Sequence, residues 1–366
     1  MSGATSYAEK SMDKLRLGYI GCGFMAQRVH LPNFAAIPGV ELSALAELRP
    51  RLGRKVQERF GIPRLYQDHQ DLLADPDIDA VAVSAAFSVQ GDLAREALLA
   101  GKDVFMEKPM AISLAQADAI LEAERQSGRR LMVGYMKRYD AGNVLVKSLV
   151  DEFEATGELG AMTYLRNHSF GGDWIAGLDA PFDTTDEPMP SAGPVTGPDW
   201  LPPEYLDAYI GYLQQFTHNI NLLRFFGNAG DNVQVRSVDL DDDGYAGIVV
   251  FDVAGVRATL ESGRLSHHRW DEHTQIYYRD GWIHTWAPPL LLRQAAAEVE
   301  VYRAGTTQVF SRPVVQPSWS YRREAEHFVQ CLQTGQPFRS PATDTRTDVR
   351  LFEDIYRQFL TQRGVL

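Results

Sequence analysis

A short apolar segment, Leu15 to Ile20, runs without a break into Gly21-Cys22-Gly23-Phe24-Met25-Ala26, and no other stretch constrains the fold of this chain as strongly. A G-x-G-x-x-A turn set after a strand and before a helix lets the backbone approach a diphosphate. Gly21 permits the tight turn, Gly23 has no side chain to hold the anion away, and Ala26 is small enough for the helix to lie on the strand. The free N–H groups at the helix start then face the anion. Gly21, Gly23, Phe24, Met25 and Ala26 are therefore the expected diphosphate turn of a dinucleotide site.

The residues that follow repeat a strand–helix rhythm. Val40 to Glu47 is an expected strand ending in a carboxylate roughly twenty residues past the turn, where an acid binds the ribose hydroxyls and repels a 2′-phosphate. Glu47 thus favours NAD over NADP. Arg49, Arg51 and Arg54 leave two readings open: they can reach a phosphate, or they are the solvated start of the next helix, expected over 51–60. Further strands are expected over 78–84, 103–106 and 131–134, with helices over 91–100 and 115–126 between them. Single helices alternating with short apolar strands describe a doubly wound parallel sheet, a Rossmann domain assigned to residues 1–137.

After Tyr135 the pattern changes to that of an α+β domain, assigned to 138–366, whose C-terminal helix could pack back on the first. A helix is expected over 143–153 and a strand over 162–168. The loop over 171–203 is too long for a passive connection; its Asp173 and Trp174 could face a substrate or anchor a surface loop. A long helix over 205–226 precedes segments 234–240, 247–253, 256–262, 274–279, 281–286 and 298–303, which read as an open, mostly antiparallel sheet with helices on one face. The other face must be covered.

Composition narrows the function. A chain of 366 residues exceeds what one core normally supports, which suits two domains. Its net charge of −12 disfavours nucleic acid and anionic membrane as partners and leaves a small molecule. Two cysteines, Cys22 and Cys331, form neither a disulfide framework nor a thiolate metal site. The first thirteen residues read as a loose terminus without a secretion signal, and no apolar run reaches membrane-spanning length, so a cytoplasmic protein is expected.

The segments AGKDVFMEKP, with Glu107-Lys108-Pro109, LLADPDIDAVAVS, GYMKRYD and SYRREAEHFVQCLQTGQP, taken in this order with the glycine turn, resemble the glucose-fructose oxidoreductase, inositol dehydrogenase and MocA family over nearly the whole chain. The resemblance implies that Lys108 lies between nicotinamide and substrate, and that Ser84, Ala86, Gln90, Glu107 and Pro109 border the cofactor. It also implies a general acid/base at His218, and substrate contacts from Lys137, His168 and Asn221. Subunits of the family pair through the open sheet, so a homodimer or homotetramer is expected.

Two departures stand out. Gln214 replaces the aspartate expected four residues before His218, and is open to a substrate-binding role or to mere drift; Gln214, His218 and Asn221 share one helix face. Ala85-Ala86 and Gln90 replace the family's T-P and later histidine. No metal is expected, since His168, His267, His268 and His273 lack an accompanying ligand pattern. The expected activity is NAD-dependent hydride transfer at a secondary alcohol of a sugar, sugar derivative or cyclitol, with Lys108, His218 and Gln214 as catalytic candidates. The alternatives are redox-neutral glycoside cleavage, or a non-catalytic dinucleotide-binding regulator.

Overall fold

The structure is a computed structural model that describes residues 14–175, 182–190, 193–265 and 270–366. The loose terminus and the histidine pair His267-His268 lie outside the described residues. The first unit alternates β1 (Leu15–Ile20), α1 (Leu31–Ala35), β2 (Val40–Ala46), α2 (Pro50–Phe60), β3 (Arg64–Tyr66), α3 (His69–Ala74), β4 (Ala80–Val83), α4 (Phe87–Leu99), β5 (Asp103–Glu107), α5 (Leu114–Ser127) and β6 (Leu131–Gly134). The strands form one parallel sheet in the order β3-β2-β1-β4-β5-β6. Strand order reverses between β1 and β4, which opens a crevice at the carboxyl ends.

Both faces of the sheet are buried. Leu17, Tyr19, Ala80 and Ala82 enter one core, while Ile20, Val81 and Val83 enter the core on the opposite face. Continuous apolar runs, as in Ala80–Val83, are what a doubly covered parallel strand requires. Strand β3 escaped the sequence reading because three residues are too few to show a period. The helix after the glycine turn also differs from expectation: it begins as a π-turn over Ala26–His30 before α1.

The remainder comprises α6 (Ala141–Thr156), β7 (Met162–Gly171), α7 (Leu206–Phe226), β8 (Val233–Leu240), β9 (Gly247–Val253), β10 (Val256–Arg264), β11 (Asp271–Tyr278), β12 (Gly281–Trp286), β13 (Glu298–Arg303), β14 (Val309–Ser311), α8 (Ser320–Thr334) and α9 (Ala342–Gln362). The eight-stranded sheet runs β14-β13-β12-β11-β7-β10-β9-β8, antiparallel except between β7 and β10. Its inner face packs on α6, α7 and α9 through Leu165, Leu260, Ile276 and Ile283. The outer face carries no helix among the described residues. It presents Trp282 stacked on Tyr302, with Phe310 beside it at 53% exposure.

The chain then returns to the first unit. Ala325, Phe328 and Val329 of α8 share a core with Phe34 and Phe105, whereas α9 spans both units, with Val349 in one core and Phe352 and Ile355 in the other. Both α8 and the C-terminal helix α9 pack on the first unit, and α9 also reaches into the second. Among the described residues no helix is long and apolar enough to cross a membrane.

Candidate active site

The glycine turn has the shape its sequence requires. Gly21 adopts φ +87°, and a Cβ there would lie 2.8 Å from the Ser84 carbonyl oxygen. Gly23 instead faces open space, with nothing within 4 Å of where its Cβ would be. That open cradle, in front of a helix start, fits a dinucleotide diphosphate. Ala26 is fully buried, whereas Phe24 and Met25 are half-buried against Val29, Met136 and Tyr321. Glu47 follows β2 and is buried beside the turn. Its carboxylate accepts the Cys22 N–H at 3.0 Å and the Arg49 guanidinium at 2.6 Å. Desolvation pushes this carboxyl up, but the bonds from Arg49 and Cys22 outweigh it and hold the group below its ordinary range.

At the end of β5 the chain turns through Glu107, Lys108 and Pro109. Glu107 and Gln90, expected to border the cofactor, are buried and brace the turn. The Glu107 carboxylate pairs with His30 Nε2 at 2.8 Å and accepts the Lys108 N–H at 3.0 Å. Buried Gln90 donates to the carbonyl oxygens of Glu107 at 2.5 Å and Pro109 at 3.2 Å. Ser84 shares a hydrogen bond with the Tyr19 hydroxyl at 2.8 Å, and Ala86 lies exposed at the start of α4.

The rigid turn aims Lys108 at α7, where its Nζ donates to the Gln214 carbonyl oxygen at 3.1 Å. Burial pushes the ammonium down, opposed by Glu107 and reinforced by the charge of Lys137. One turn further along α7 lies His218, 5% exposed, with neither ring nitrogen hydrogen-bonded. Its ring meets Tyr135 edge-on at 5.9 Å, and the Tyr135 hydroxyl shares a hydrogen bond with Thr217 at 2.7 Å. Burial, followed by the charges of Lys108 and Lys137, holds His218 well below its ordinary pKa. The imidazole is therefore neutral at neutral pH and able to accept a proton. Gln214 is half-buried on the same helix, and its amide carries no charge with which to hold an imidazolium.

Lys137 arrives from the turn after β6 and forms a buried ion pair with Glu272 of β11. The same Glu272 oxygen accepts from Asn219 at 3.0 Å; Asn219 also donates to Asn167, and Asn167 to Thr274. Sequence reasoning missed Glu272, Asn219 and Asn167. Period-two alternation on β7 sets Asn167, and not His168, on the buried face that Leu165 shares.

His168 and Asn221 do not join the site. His168 lies on the outer face of the sheet, stacked on His273 at 4.6 Å and bonded to Glu261 at 2.7 Å. Its Nε2 and the His273 Nδ1 approach Asp271 at 3.6 and 3.5 Å, so the histidine and carboxylate grouping not seen in the sequence exists there, away from Lys108. Asn221 accepts from Arg138 at 2.5 Å and donates to Asp348 at 2.6 Å. It lies two turns beyond Gln214, where α7 is already covered by α9, and its role is to join helices.

Residues 15–135 match the oxidoreductase family with an NAD-binding Rossmann fold. The chain is 30% identical over 170 residues to an inositol 2-dehydrogenase of Salmonella typhimurium (strain LT2), an alignment covering 46% of this chain and 49% of that enzyme. It therefore spans about half the length of the curated relatives it matches first. Among solved structures it resembles aldose-aldose oxidoreductase from Caulobacter crescentus complexed with glycerol, with TM-score 0.70, 24% identity, and 96% and 98% of the two chains covered. An oxidoreductase from Agrobacterium radiobacter in complex with NAD+, L-tartaric acid and magnesium superposes with TM-score 0.71 at 18% identity, covering 96% and 97%. These likenesses extend the shared fold over both units.

Proposed function

We propose that this chain, whose residues 15–135 match the oxidoreductase family with an NAD-binding Rossmann fold and which is similar to inositol 2-dehydrogenase over 170 residues, is an NAD-dependent oxidoreductase acting on a secondary alcohol or ketone of a sugar, sugar derivative or cyclitol. The observation that carries the reading is His218: a buried, neutral imidazole with both nitrogens free of hydrogen bonds, beside a lysine at the carboxyl edge of a parallel sheet. NAD, when bound, supplies a hydride acceptor at nicotinamide C4. His218 takes the hydroxyl proton of the carbon being oxidised, and Lys108 donates a hydrogen bond to the same oxygen as negative charge builds on it. In reduction His218 returns the proton. Lys137, held by Glu272, binds a neighbouring hydroxyl, and Gln214 offers an amide at the same wall.

Anaerobic incubation of the purified protein with sugars, cyclitols and glycosides tests this, following nicotinamide absorbance and released aglycone together. Net NADH with a sugar or cyclitol supports the reading. Aglycone without net NADH would instead make the chain a redox-neutral glycoside-cleaving enzyme, and neither signal would make it a dinucleotide-binding regulator.

The chain works as a homodimer or homotetramer paired through the outer face of the eight-stranded sheet. The support is the aromatic surface of Trp282, Tyr302 and Phe310, which no helix covers among the described residues. Sedimentation equilibrium showing a monomer at micromolar concentration would reject this. The two free, buried cysteines suit a reducing cytoplasm.

A further inference from the structure

We propose that the segment 183–187 of the long β7–α7 connection is a determinant of dinucleotide choice, with Glu187 holding the anion position at the start of α2 that a ribose 2′-phosphate would take. The inference rests on the NAD reading above and adds to it a residue far from the fingerprint.

Helix α2 begins without a side-chain cap of its own, since Arg49 at its N-cap makes no such bond. Its orphan N–H groups are satisfied across the domains instead. The Glu187 carboxylate accepts the Arg51 N–H at 3.0 Å and the Leu52 N–H at 3.1 Å, and it approaches the Arg51 guanidinium at 3.6 Å. Thr185 Oγ1 donates to it at 2.9 Å. Desolvation pushes the Glu187 carboxyl up, but the bonds from Arg51, Thr185 and Leu52 prevail and keep it below its ordinary range. A carboxylate on two backbone N–H groups of a helix start, beside an arginine, reproduces the contacts of a bound phosphate.

The position adjoins the ribose end of the cofactor crevice. A Cβ on Gly53 would lie 3.3 Å from the Glu47 Cβ, so the first turn of α2 rests on the side-chain stem of the residue assigned to the ribose hydroxyls. Other basic groups of α2 are engaged by the same segment. Arg51 pairs with Asp186 at 2.7 Å, Lys55 donates to the Thr184 carbonyl oxygen at 3.1 Å, and Arg59 pairs with Asp183 at 3.3 Å. The segment is also tied to the glycine-turn helix: the Gln27 amide exchanges hydrogen bonds with the Asp183 backbone at 2.8 and 3.0 Å, and Phe24 meets Phe182 edge-on at 5.5 Å. Stripped of this segment, α2 would offer two free N–H groups, Arg51 and Lys55, a set suited to a phosphate. The two sequence readings of the arginines after Glu47 are thereby reconciled, because Arg51 can reach an anion and that anion is internal.

The test is equilibrium binding of NAD+, NADP+ and adenosine 2′-monophosphate to the full-length protein and its variants. The wild type should bind NAD+ in preference to NADP+. Glu187→Ala should tighten NADP+ and adenosine 2′-monophosphate by about tenfold or more, the worth of a charge-assisted hydrogen bond, while NAD+ stays within about threefold, below 1 kcal/mol. Glu187→Gln, which keeps the shape and removes the charge, should move the same ratio in the same direction by less. Adding Arg51→Ser to Glu187→Ala should erase the gain. An unchanged NADP+ to NAD+ ratio in both Glu187 variants, or equal weakening of the two dinucleotides, overturns the proposal while leaving the NAD reading intact. A wild type that binds neither dinucleotide overturns both.

Discussion

Lys137 and Glu272, 135 residues apart in sequence, form a buried ion pair across the junction between the parallel sheet and the eight-stranded sheet. Each would be costly to bury alone, and Asn219 takes a further share of the Glu272 carboxylate at 3.0 Å. The pair fixes a cation at one wall of the crevice, while Lys108 supplies a second from the end of β5. Both charges bear on His218.

Removing Glu272 should therefore destabilise the fold and loosen the site at once. Glu272→Ala is expected to cost about 3–5 kcal/mol in urea unfolding, because it strands a buried ammonium. Set against Glu272→Ala and Lys137→Met alone, the double variant Lys137→Met/Glu272→Ala should recover part of that loss without recovering activity. Additive costs for the two positions would show that the pair is not coupled.

If His218 moves the proton, His218→Ala should lower turnover by about 10²- to 10⁴-fold. The sign of the pH effect follows from its depressed pKa. The neutral, active form persists as pH falls through the ordinary histidine value of about 6.5, so the acid limb of kcat/KM lies below it. Gln214→Asp places a carboxylate one helical turn away, favours the imidazolium, and should move that limb to higher pH. A profile unmoved by Gln214→Asp, with wild-type turnover in His218→Ala, would take His218 out of the chemistry.

Lys108 touches α7 and the crevice but makes no hydrogen bond to the glycine turn. Lys108→Met should accordingly reduce kcat by about 10²-fold or more, the scale of one lost oxyanion donor, and leave the NAD+ dissociation constant within a few-fold. Equal losses in the two quantities would make Lys108 a cofactor-binding residue only.

Gly23 has room around it, so Gly23→Val should fold normally by circular dichroism and thermal melting. Its side chain would nevertheless project into the space assigned to the diphosphate, and NAD+ affinity should fall by at least about tenfold, a loss of about 1.4 kcal/mol. Retained affinity would move the dinucleotide elsewhere.

Glu324 of α8 is fully buried, with neither carboxyl oxygen hydrogen-bonded. Burial, with Glu107 nearby, pushes its pKa well above the ordinary carboxylate value, which favours the neutral acid in the fold. A raised folded-state pKa means the stabilising difference is complete below the unfolded value of about 4.3 and is lost as pH rises from there towards the folded value, at about 1.4 kcal/mol per pH unit. Melting temperatures at pH 5 and pH 8 check this: Glu324→Gln should shrink the fall between them relative to wild type. An identical fall in both proteins would show that Glu324 is ionised in the fold.

The sequence by itself determined the local features whose causes lie within a few residues. The strand, glycine turn and helix of Leu15 to Ala35 were legible because φ +87° at Gly21 and the missing side chain at Gly23 are requirements of the turn alone. The parallel sheet followed from runs such as Ala80–Val83, whose burial on both faces needs no knowledge of the partner strand. Lys108 and His218 were named through the family resemblance, and the structure sets the Lys108 ammonium on the Gln214 carbonyl oxygen, one turn of α7 before His218. Only tertiary structure decided which way neighbouring groups turn. His168 and Asn167 differ by one residue, and the register of β7 against β11 sends one to the outer face and the other to α7. Gln90 and Glu107 turn inward because a buried carboxylate and amide need partners, which His30, the Lys108 N–H and two carbonyl oxygens supply. Asn221 is claimed by Arg138 and Asp348, and Glu187 by a helix start 135 residues away. Such pairings depend on which distant segments meet, because burial makes an unpaired polar group costly wherever it lands, and periodicity along one segment carries no record of the segment that will satisfy it.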